Sequence, residues 1–198
     1  MQNFLPQLVS VDMSANAPQS SSVSPLAPWQ LGDVVPAPLN IYSCLVEQEW
    51  VDYNGHMTEA AYLSAFGWGS DALFTYIGDN DAYRSAGNSF YTVETHIVYE
   101  DEAFLNEPLR IETRVLDVDA KRLHIHHTMF NGDNGKRLST TEQMLVHVDM
   151  NAGKSSPILP HVAGALDAIM SSHSTLPVPD DLGRVMKIKK NSVINSDK

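Results

Sequence analysis

A long helical segment is the feature that most constrains the fold of this chain. Its apolar residues recur at steps of three and four, the period of one helix face, at Tyr62, Phe66, Gly69, Leu73 and Ile77. The predicted helix covers residues 58–77, is about 30 Å long, and needs a second apolar surface against this face. Gly67 and Gly69 each weaken it by about 1 kcal/mol relative to alanine, so we expect another backbone or a ligand to approach closely there.

The other regular segments have mainly the pattern of β-strands. Five strands are predicted, at residues 39–47, 90–99, 109–115, 123–129 and 138–149. In the third and fourth of these, apolar and polar residues alternate with a period of two. Residues 131–135, Asn-Gly-Asp-Asn-Gly, have the composition of a hairpin turn. The order of one strand, a long helix and four strands predicts an α+β fold, with an antiparallel sheet wrapped around one central helix.

Composition divides the chain into three zones. Residues 1–38 carry many serines and prolines and almost no charge, which predicts an irregular N-terminal arm. Residues 39–153 contain the long helix and the strands, and form the predicted domain. Residues 154–198 are predicted as a C-terminal extension, with a short helix at 162–172 and a frayed polar end. A length of 198 residues favours this arrangement over two full domains.

Charge and cysteine content exclude several classes of protein. The net charge of −11 argues against binding to nucleic acid or to an anionic membrane. No run approaches the ~20 apolar residues of a membrane span, and the N-terminus lacks the basic start and apolar core of a secretory signal. The single cysteine, Cys44, cannot form an internal disulfide, so we expect a cytoplasmic protein.

The candidate reaction centre is the run of residues 50–58, directly before the long helix. It contains the carboxylate of Asp52, the amide of Asn54, the flexible Gly55 and the imidazole of His56. The first amides of a helix have no partner within it and can bind negative charge that develops on an oxygen. A base beside such donors is what hydrolysis of an activated acyl group requires.

Each of these residues also has a simpler explanation. Asp52 could merely cap the helix, although Asn54 or Thr58 could supply the cap and leave Asp52 free. His56 is a general base, an orienter of Asp52, or a structural histidine. Glu94 is either solvent-facing or placed for function, on a strand face that alternation assigns to Thr92, Glu94 and His96.

Histidines and cations elsewhere suggest further sites. His124, His126 and His127 are close in sequence, but no cysteine or third clustered ligand supports a metal site, so we expect surface or interface histidines. In this acidic chain the natural place for phosphates is a cluster of basic residues. Lys121 and Arg122 are the best candidates, together with Arg84.

These segments together resemble the hotdog-fold acyl-CoA thioesterases of the 4-hydroxybenzoyl-CoA thioesterase type. Within that family they are most similar to betainyl-CoA thioesterases, which occur alone and fused to carnitine dehydrogenase. The segments that carry the resemblance are residues 49–59, 91–97, 121–124 and 142–145. The resemblance covers most of residues 41–153 and implies a five-stranded antiparallel sheet around a long helix.

The resemblance implies hydrolysis of a small acyl-CoA, with betainyl-CoA giving glycine betaine and CoA in carnitine catabolism, and with no cofactor or metal. Asp52 would be the catalytic carboxylate, as a nucleophile that forms a mixed anhydride or as a general base on water. The thioester carbonyl would be polarised by an amide near Thr58 and Glu59. The residues assigned to catalysis are Asp52, Asn54, His56, Thr58, Glu59 and Glu94.

A trimethylammonium group has no hydrogen-bond donor and is usually held by aromatic faces and carboxylates. The residues assigned to the substrate are therefore Trp50, Tyr53, Gly55, Trp68 and Tyr91. Sites of this family lie between subunits, so a homodimer or a dimer of dimers is expected. Two alternatives are a hotdog dehydratase that uses His56, and a non-catalytic module that binds an acyl-CoA.

Overall fold

The computed structural model describes residues 26–188, so much of the predicted N-terminal arm and the last ten residues lie outside the described part. The elements are β1 (Leu39–Leu45), a short 3-10 turn (Gln48–Trp50), α1 (Glu59–Ile77), α2 (Asp81–Ser85), β2 (Asn88–Tyr99), β3 (Pro108–Val118), β4 (Arg122–Asn131), β5 (Arg137–Asp149), β6 (Lys154–Ser155) and α3 (Pro160–His173). The five predicted strands and both predicted helices are present, with ends shifted by a few residues. The two-residue β6 and the short α2 were not predicted.

All pairs of neighbouring strands are antiparallel, in the spatial order β1–β3–β4–β5–β2, with β6 added beside β5. Irregular pairing occurs four times in the sheet, between β1 and β3, β2 and β5, β3 and β4, and β4 and β5. Bulges of this kind bend a strand and increase its twist. They help the sheet to curl around α1, and the molecule has the α+β hotdog fold that the sequence predicts.

The predicted apolar face of α1 is buried against the sheet. Phe66 and Leu73 are fully buried, and Gly69 lies against Ile111 of β3. A Cβ atom at Gly69 would lie 3.2 Å from Cγ2 of Ile111, which explains the glycine. At Gly67 no atom of another segment within residues 26–188 would lie within 4 Å of an added Cβ, so the expected approach of another backbone is not observed there.

Helix α3 and the residues before β1 pack on the same core. Val162, Leu166 and Ile169 of α3 share an apolar cluster with Leu73 of α1. The ring of His173 extends this attachment by hydrogen bonds, which join α3 to β3 and to the chain before β1. Its Nδ1 accepts from the amide of Val115, and its Nε2 donates to the carbonyl of Pro36. None of the helices in residues 26–188 has both the length and the apolar character needed to cross a bilayer.

Candidate active site

Residues 51–57 form a small hairpin between the 3-10 turn and α1, named here the site hairpin. A β-bridge joins Val51 to Met57, and the amide of Asp52 donates to the carbonyl of His56 at 2.9 Å. Gly55 has φ of +81°, in the left-handed region that a glycine adopts without strain. The hairpin therefore favours a glycine at this turn.

The carboxylate of Asp52 is half-buried at the base of this hairpin. Its Oδ1 accepts from the amide of Asn54 at 2.7 Å and from the amide of His56 at 3.3 Å. In residues 26–188 its Oδ2 has no hydrogen-bond partner. One oxygen is thus fixed by the turn, and the other is available to a substrate or a water molecule.

Helix α1 begins without a side-chain cap. Thr58 occupies the N-cap position, but its hydroxyl makes no capping hydrogen bond, so the prediction that Asn54 or Thr58 caps the helix is wrong. The carbonyl of Thr58 accepts the first helical bonds, from Ala61 at 3.0 Å and Tyr62 at 3.3 Å. Glu59 lies before the first residue that donates within the helix, so its amide remains available as a donor at the positive end of the helix.

The loop that joins β2 to β3, residues 100–107, lies against the site hairpin and was not identified from the sequence. The amide of Met57 donates to the carbonyl of Ala103 at 2.8 Å, and a β-bridge pairs His56 with Phe104. The imidazole Nδ1 of His56 lies 3.1 Å from Oε1 of Glu102. No local pattern could have revealed these contacts, because the loop and the hairpin are distant in sequence.

The aromatic residues assigned to the substrate are in different surroundings. The indole rings of Trp50 and Trp68 stack at 5.3 Å and are 8% and 9% exposed, within the core cluster around the first half of α1. Tyr53 is 96% exposed at the tip of the site hairpin, and Tyr91 is half-buried on β2. The stacked pair has a structural role, and binding of a substrate by any of the four stays a prediction.

The pairing of β2 with β5 separates Thr92 from Glu94, although the sequence assigned both residues to one face of the strand. Thr92 lies opposite Leu145 and Glu94 lies opposite Met144, so Val93 is the extra residue of a bulge. Opposed residues share a face and adjacent residues do not, so Thr92 and Glu94 lie on opposite faces of the sheet. The predicted grouping is wrong for Thr92, because a bulge interrupts the alternation, whereas Glu94 and His96 lie opposite Met144 and Glu142 and share a face as predicted. The Glu94 carboxylate is exposed and forms no hydrogen bond with the site hairpin.

The guanidinium of Arg84, assigned to CoA phosphates, is already engaged by carboxylates. It lies 3.1 Å from Oδ1 of Asp79 and 2.9 Å from Oδ1 of Asp81, and it donates to the carbonyl of Asp79 at 2.7 Å. A phosphate would have to compete with both acids for this cation.

Lys121 and Arg122 lie at the start of β4, in the turn that follows β3. Asp119 accepts hydrogen bonds from both backbone amides and from the guanidinium of Arg122. These donors hold the pKa of Asp119 at about 2, well below its usual range. The ammonium of Lys121 makes no ion pair with any residue from 26 to 188, so among the three cations assigned to CoA it is the one without an acidic partner.

The three clustered histidines each have a protein partner. Nε2 of His124 lies 2.9 Å from Glu142, and Nε2 of His126 lies 3.1 Å from Asp181 in the C-terminal segment. Among the described residues, no group of three or more His, Cys, Asp or Glu side chains converges as a metal site would require. His127 is fully buried, and burial lowers its pKa to about 3. Ser70 and Thr113 bond its two ring nitrogens at 3.0 and 2.9 Å, which fixes α1 to the sheet.

Comparison with known proteins identifies the family. The model of the thioesterase-like superfamily matches residues 46–166, which include the site hairpin, α1 and the strands β2–β5. The chain belongs to the thioesterase-like superfamily.

Two relatives illustrate the range of this superfamily. Betainyl-CoA thioesterase of Pseudomonas aeruginosa is 39% identical over 149 residues, covering 75% of this chain and 94% of that protein. L-carnitine dehydrogenase/betainyl-CoA thioesterase of Rhizobium meliloti is 45% identical over 147 residues, covering 74% of this chain. The match spans only 30% of the length of that larger relative.

Solved structures agree with the fold. A protein of Pseudomonas putida KT2440, provisionally assigned as a thioesterase, is 31% identical with a TM-score of 0.69, covering 79% of this chain and all of that chain. A hypothetical protein of Staphylococcus aureus, solved in complex with CoA, has the same TM-score and coverage at 22% identity. At this level of identity, the similarity to the Staphylococcus aureus protein shows a shared fold and nothing more.

Proposed function

We propose that this protein is a thioesterase that hydrolyses betainyl-CoA to glycine betaine and CoA, a step of carnitine catabolism. Family membership over residues 46–166 supports thioester hydrolysis, and the Pseudomonas aeruginosa relative supports the acyl group. The observation that carries the proposal is the geometry of Asp52. Its Oδ2 atom is unpartnered in the described residues and lies on a hairpin that leads directly into the amides at the start of α1.

In the proposed mechanism, the first amides of α1 stabilise the negative charge that develops on the thioester oxygen. Such preorganised donors are often the largest contribution to catalysis of acyl transfer. Asp52 acts in one of two ways: its Oδ2 attacks the carbonyl carbon, or it takes a proton from the attacking water. Asn54 and His56 hold its other oxygen through their amides, which fixes the direction of Oδ2.

The exposure of the four assigned aromatic rings indicates which of them can contact the substrate. Tyr53 and Tyr91 keep accessible ring surface for the trimethylammonium group, whereas Trp50 and Trp68 cover each other. The ammonium of Lys121, which has no acidic partner within residues 26–188, is the proposed contact for the CoA phosphates.

Assembly and location complete the proposal. Strand β2 is an edge of the sheet, and residues 92–95 on it are exposed, which favours pairing with a second copy of this chain in a homodimer or a dimer of dimers. In such an assembly Glu94 would reach the site of the partner subunit.

The lone buried Cys44, without a disulfide partner, favours a cytoplasmic location.

The test is a thiol-release assay with the Asp52→Asn variant across a panel of acyl-CoAs that includes betainyl-CoA. Asparagine keeps an oxygen that can accept the amides of Asn54 and His56, so the hairpin should be retained. We expect kcat for betainyl-CoA to fall about 100-fold or more, because the base or nucleophile is lost, while the affinity for the ester is unchanged.

Asp167→Asn makes the same chemical change at an exposed position of α3, whose buried residues belong to a different apolar cluster from Trp50 and Met57, and should leave kcat unaltered. A wild-type protein that binds acyl-CoA without releasing thiol would support a non-catalytic module instead. Formation of a hydrated acyl-CoA would support the dehydratase alternative. Full thiol release by Asp52→Asn would contradict the assignment of Asp52.

A further inference from the structure

The loop of residues 100–107 is held firmly beside the site hairpin. Besides its backbone bonds to the hairpin, its own turn is fixed by the Glu107 carboxylate, which accepts from the amide of Phe104 at 3.1 Å. Further support comes from the hydroxyl of Tyr62 on α1, which donates to the carbonyl of Asp101 at 3.1 Å. The loop therefore presents its side chains to the hairpin from a defined position.

Two of these side chains contact the imidazole of His56. Glu102 lies 3.1 Å from Nδ1, and the ring of Phe104 meets the imidazole edge-on, with ring centroids 5.0 Å apart at 86°. A carboxylate accepts hydrogen bonds but does not donate them, so Nδ1 carries the proton in this arrangement. In residues 26–188, Nε2 of His56 has no hydrogen-bond partner.

We propose that Glu102 is a positioning residue that holds His56 with its proton on Nδ1 and the lone pair of Nε2 free to act in the hydrolysis. The inference rests on the proposed function and adds a second acid–base group to the site of Asp52. Phe104 limits rotation of the imidazole about its side-chain bonds, and Glu102 selects the tautomer. In many enzymes a neighbouring side chain orients the acid–base histidine in the same way, by a hydrogen bond to the ring nitrogen that does not react.

The role of the Nε2 lone pair is clearest in the route through a mixed anhydride. Asp52 first bonds to the acyl carbon, and CoA leaves as the thiolate. A water molecule then bonds to the acyl carbon and gives one proton to Nε2 of His56, while the bond from the acyl carbon to Asp52 breaks and regenerates the carboxylate. The proton on Nε2 passes to the thiolate, so His56 returns to its starting form.

The test combines an NMR measurement with kinetics on Glu102→Ala and Glu102→Gln. The nitrogen-15 shifts of the His56 ring, assigned by their absence in His56→Gln, report which nitrogen carries the proton. We expect Nδ1–H in the wild type and in Glu102→Gln, whose amide oxygen still accepts, and Nε2–H in Glu102→Ala. With betainyl-CoA as substrate, kcat should fall about 10-fold in Glu102→Ala, with KM changed less than twofold.

Glu100→Ala is the matched control, because Glu100 lies in the same loop but pairs with Arg137. It should leave the tautomer and kcat as in the wild type. An Nε2–H tautomer in the wild type, or a Glu102→Ala variant with wild-type tautomer and kcat, would overturn the inference. The NMR measurement needs no turnover, so failure of the proposed activity and failure of the positioning role are distinguishable.

Discussion

At the scale of single residues, burial decides which carboxylates in this acidic chain carry an energetic cost. Asp79, directly after α1, is 1% exposed, and its Oδ2 is buried without a hydrogen-bond partner. Burial raises the pKa of Asp79 to about 6, although the nearby guanidinium of Arg84 opposes the shift. The folded protein therefore binds this proton more tightly than the unfolded chain does, where a pKa of about 4 is expected.

The stability of the protein should depend on pH through Asp79. Protonation of Asp79 contributes fully to the free energy of unfolding below pH ~4, and this contribution is lost as pH rises through about 6. Relative to Asp79→Asn, the wild type should therefore lose about 3 kcal/mol of unfolding free energy between pH ~3.5 and pH ~7.5. Urea denaturation of both proteins across this range measures the difference.

Asp81→Asn is the matched control for this prediction. Asp81 contacts the same guanidinium but is fully exposed, so the variant should follow the wild type at each pH. A difference between Asp79→Asn and the wild type that stays constant across the range would contradict the assignment of this pH dependence to Asp79.

At the scale of elements, the two glycines in α1 have different reasons to be there. Gly69 faces β3, where an added Cβ would lie 3.2 Å from Cγ2 of the fully buried Ile111, closer than an ordinary van der Waals contact. On the same helix, a Cβ added at Gly67 would meet no atom of another segment within 4 Å among residues 26–188. The sequence pattern alone gave both glycines the same interpretation, and only the packing of α1 on the sheet separates them.

Alanine at these two positions should have opposite effects on stability. Gly67→Ala should stabilise the protein by about 1 kcal/mol, because alanine favours the helix and restricts the unfolded chain. Gly69→Ala should destabilise it by about 1 kcal/mol, because overpacking against Ile111 outweighs the same helical gain. Urea denaturation curves of the two variants test this contrast, and equal shifts of both in the same direction would contradict it.

At the scale of the whole molecule, excess negative charge opposes the binding of a polyanion such as CoA. The chain has 24 acidic and 13 basic residues, and both Arg84 and Arg122 are paired with aspartates. Any attraction for phosphates must therefore come from a few local cations without an acidic partner. Among the proposed CoA contacts, Lys121 is the one that meets this condition within the described residues.

Reversal of this charge should weaken substrate binding more than turnover. We expect Lys121→Glu to raise KM for betainyl-CoA about 10-fold at low salt, with kcat changed less than twofold, and the effect should shrink as salt screens the charges. The same acyl group carried on pantetheine lacks the phosphates of CoA and is the matched control. An equal rise of KM for both thioesters would remove Lys121 from the phosphate site.

Local patterns in the sequence determined the elements of this protein and the position of its candidate reaction centre. Helical and strand periods depend on neighbouring residues, and Asp52, Gly55 and His56 lie within one short hairpin. For this reason the α+β arrangement of one long helix and an antiparallel sheet, and the polar run before α1, could be predicted with only small errors at the ends of elements, whereas the hotdog family followed from the resemblance.

Tertiary structure alone decided which distant residues meet. The bulge in β2 turns Glu94 to the opposite face from Thr92, because strand register depends on the partner strand. The loop between β2 and β3 brings Glu102 and Phe104 to His56, a contact that no periodicity encodes. Register and loop packing arise from interactions between segments far apart in the chain, so the folded molecule is needed to establish them.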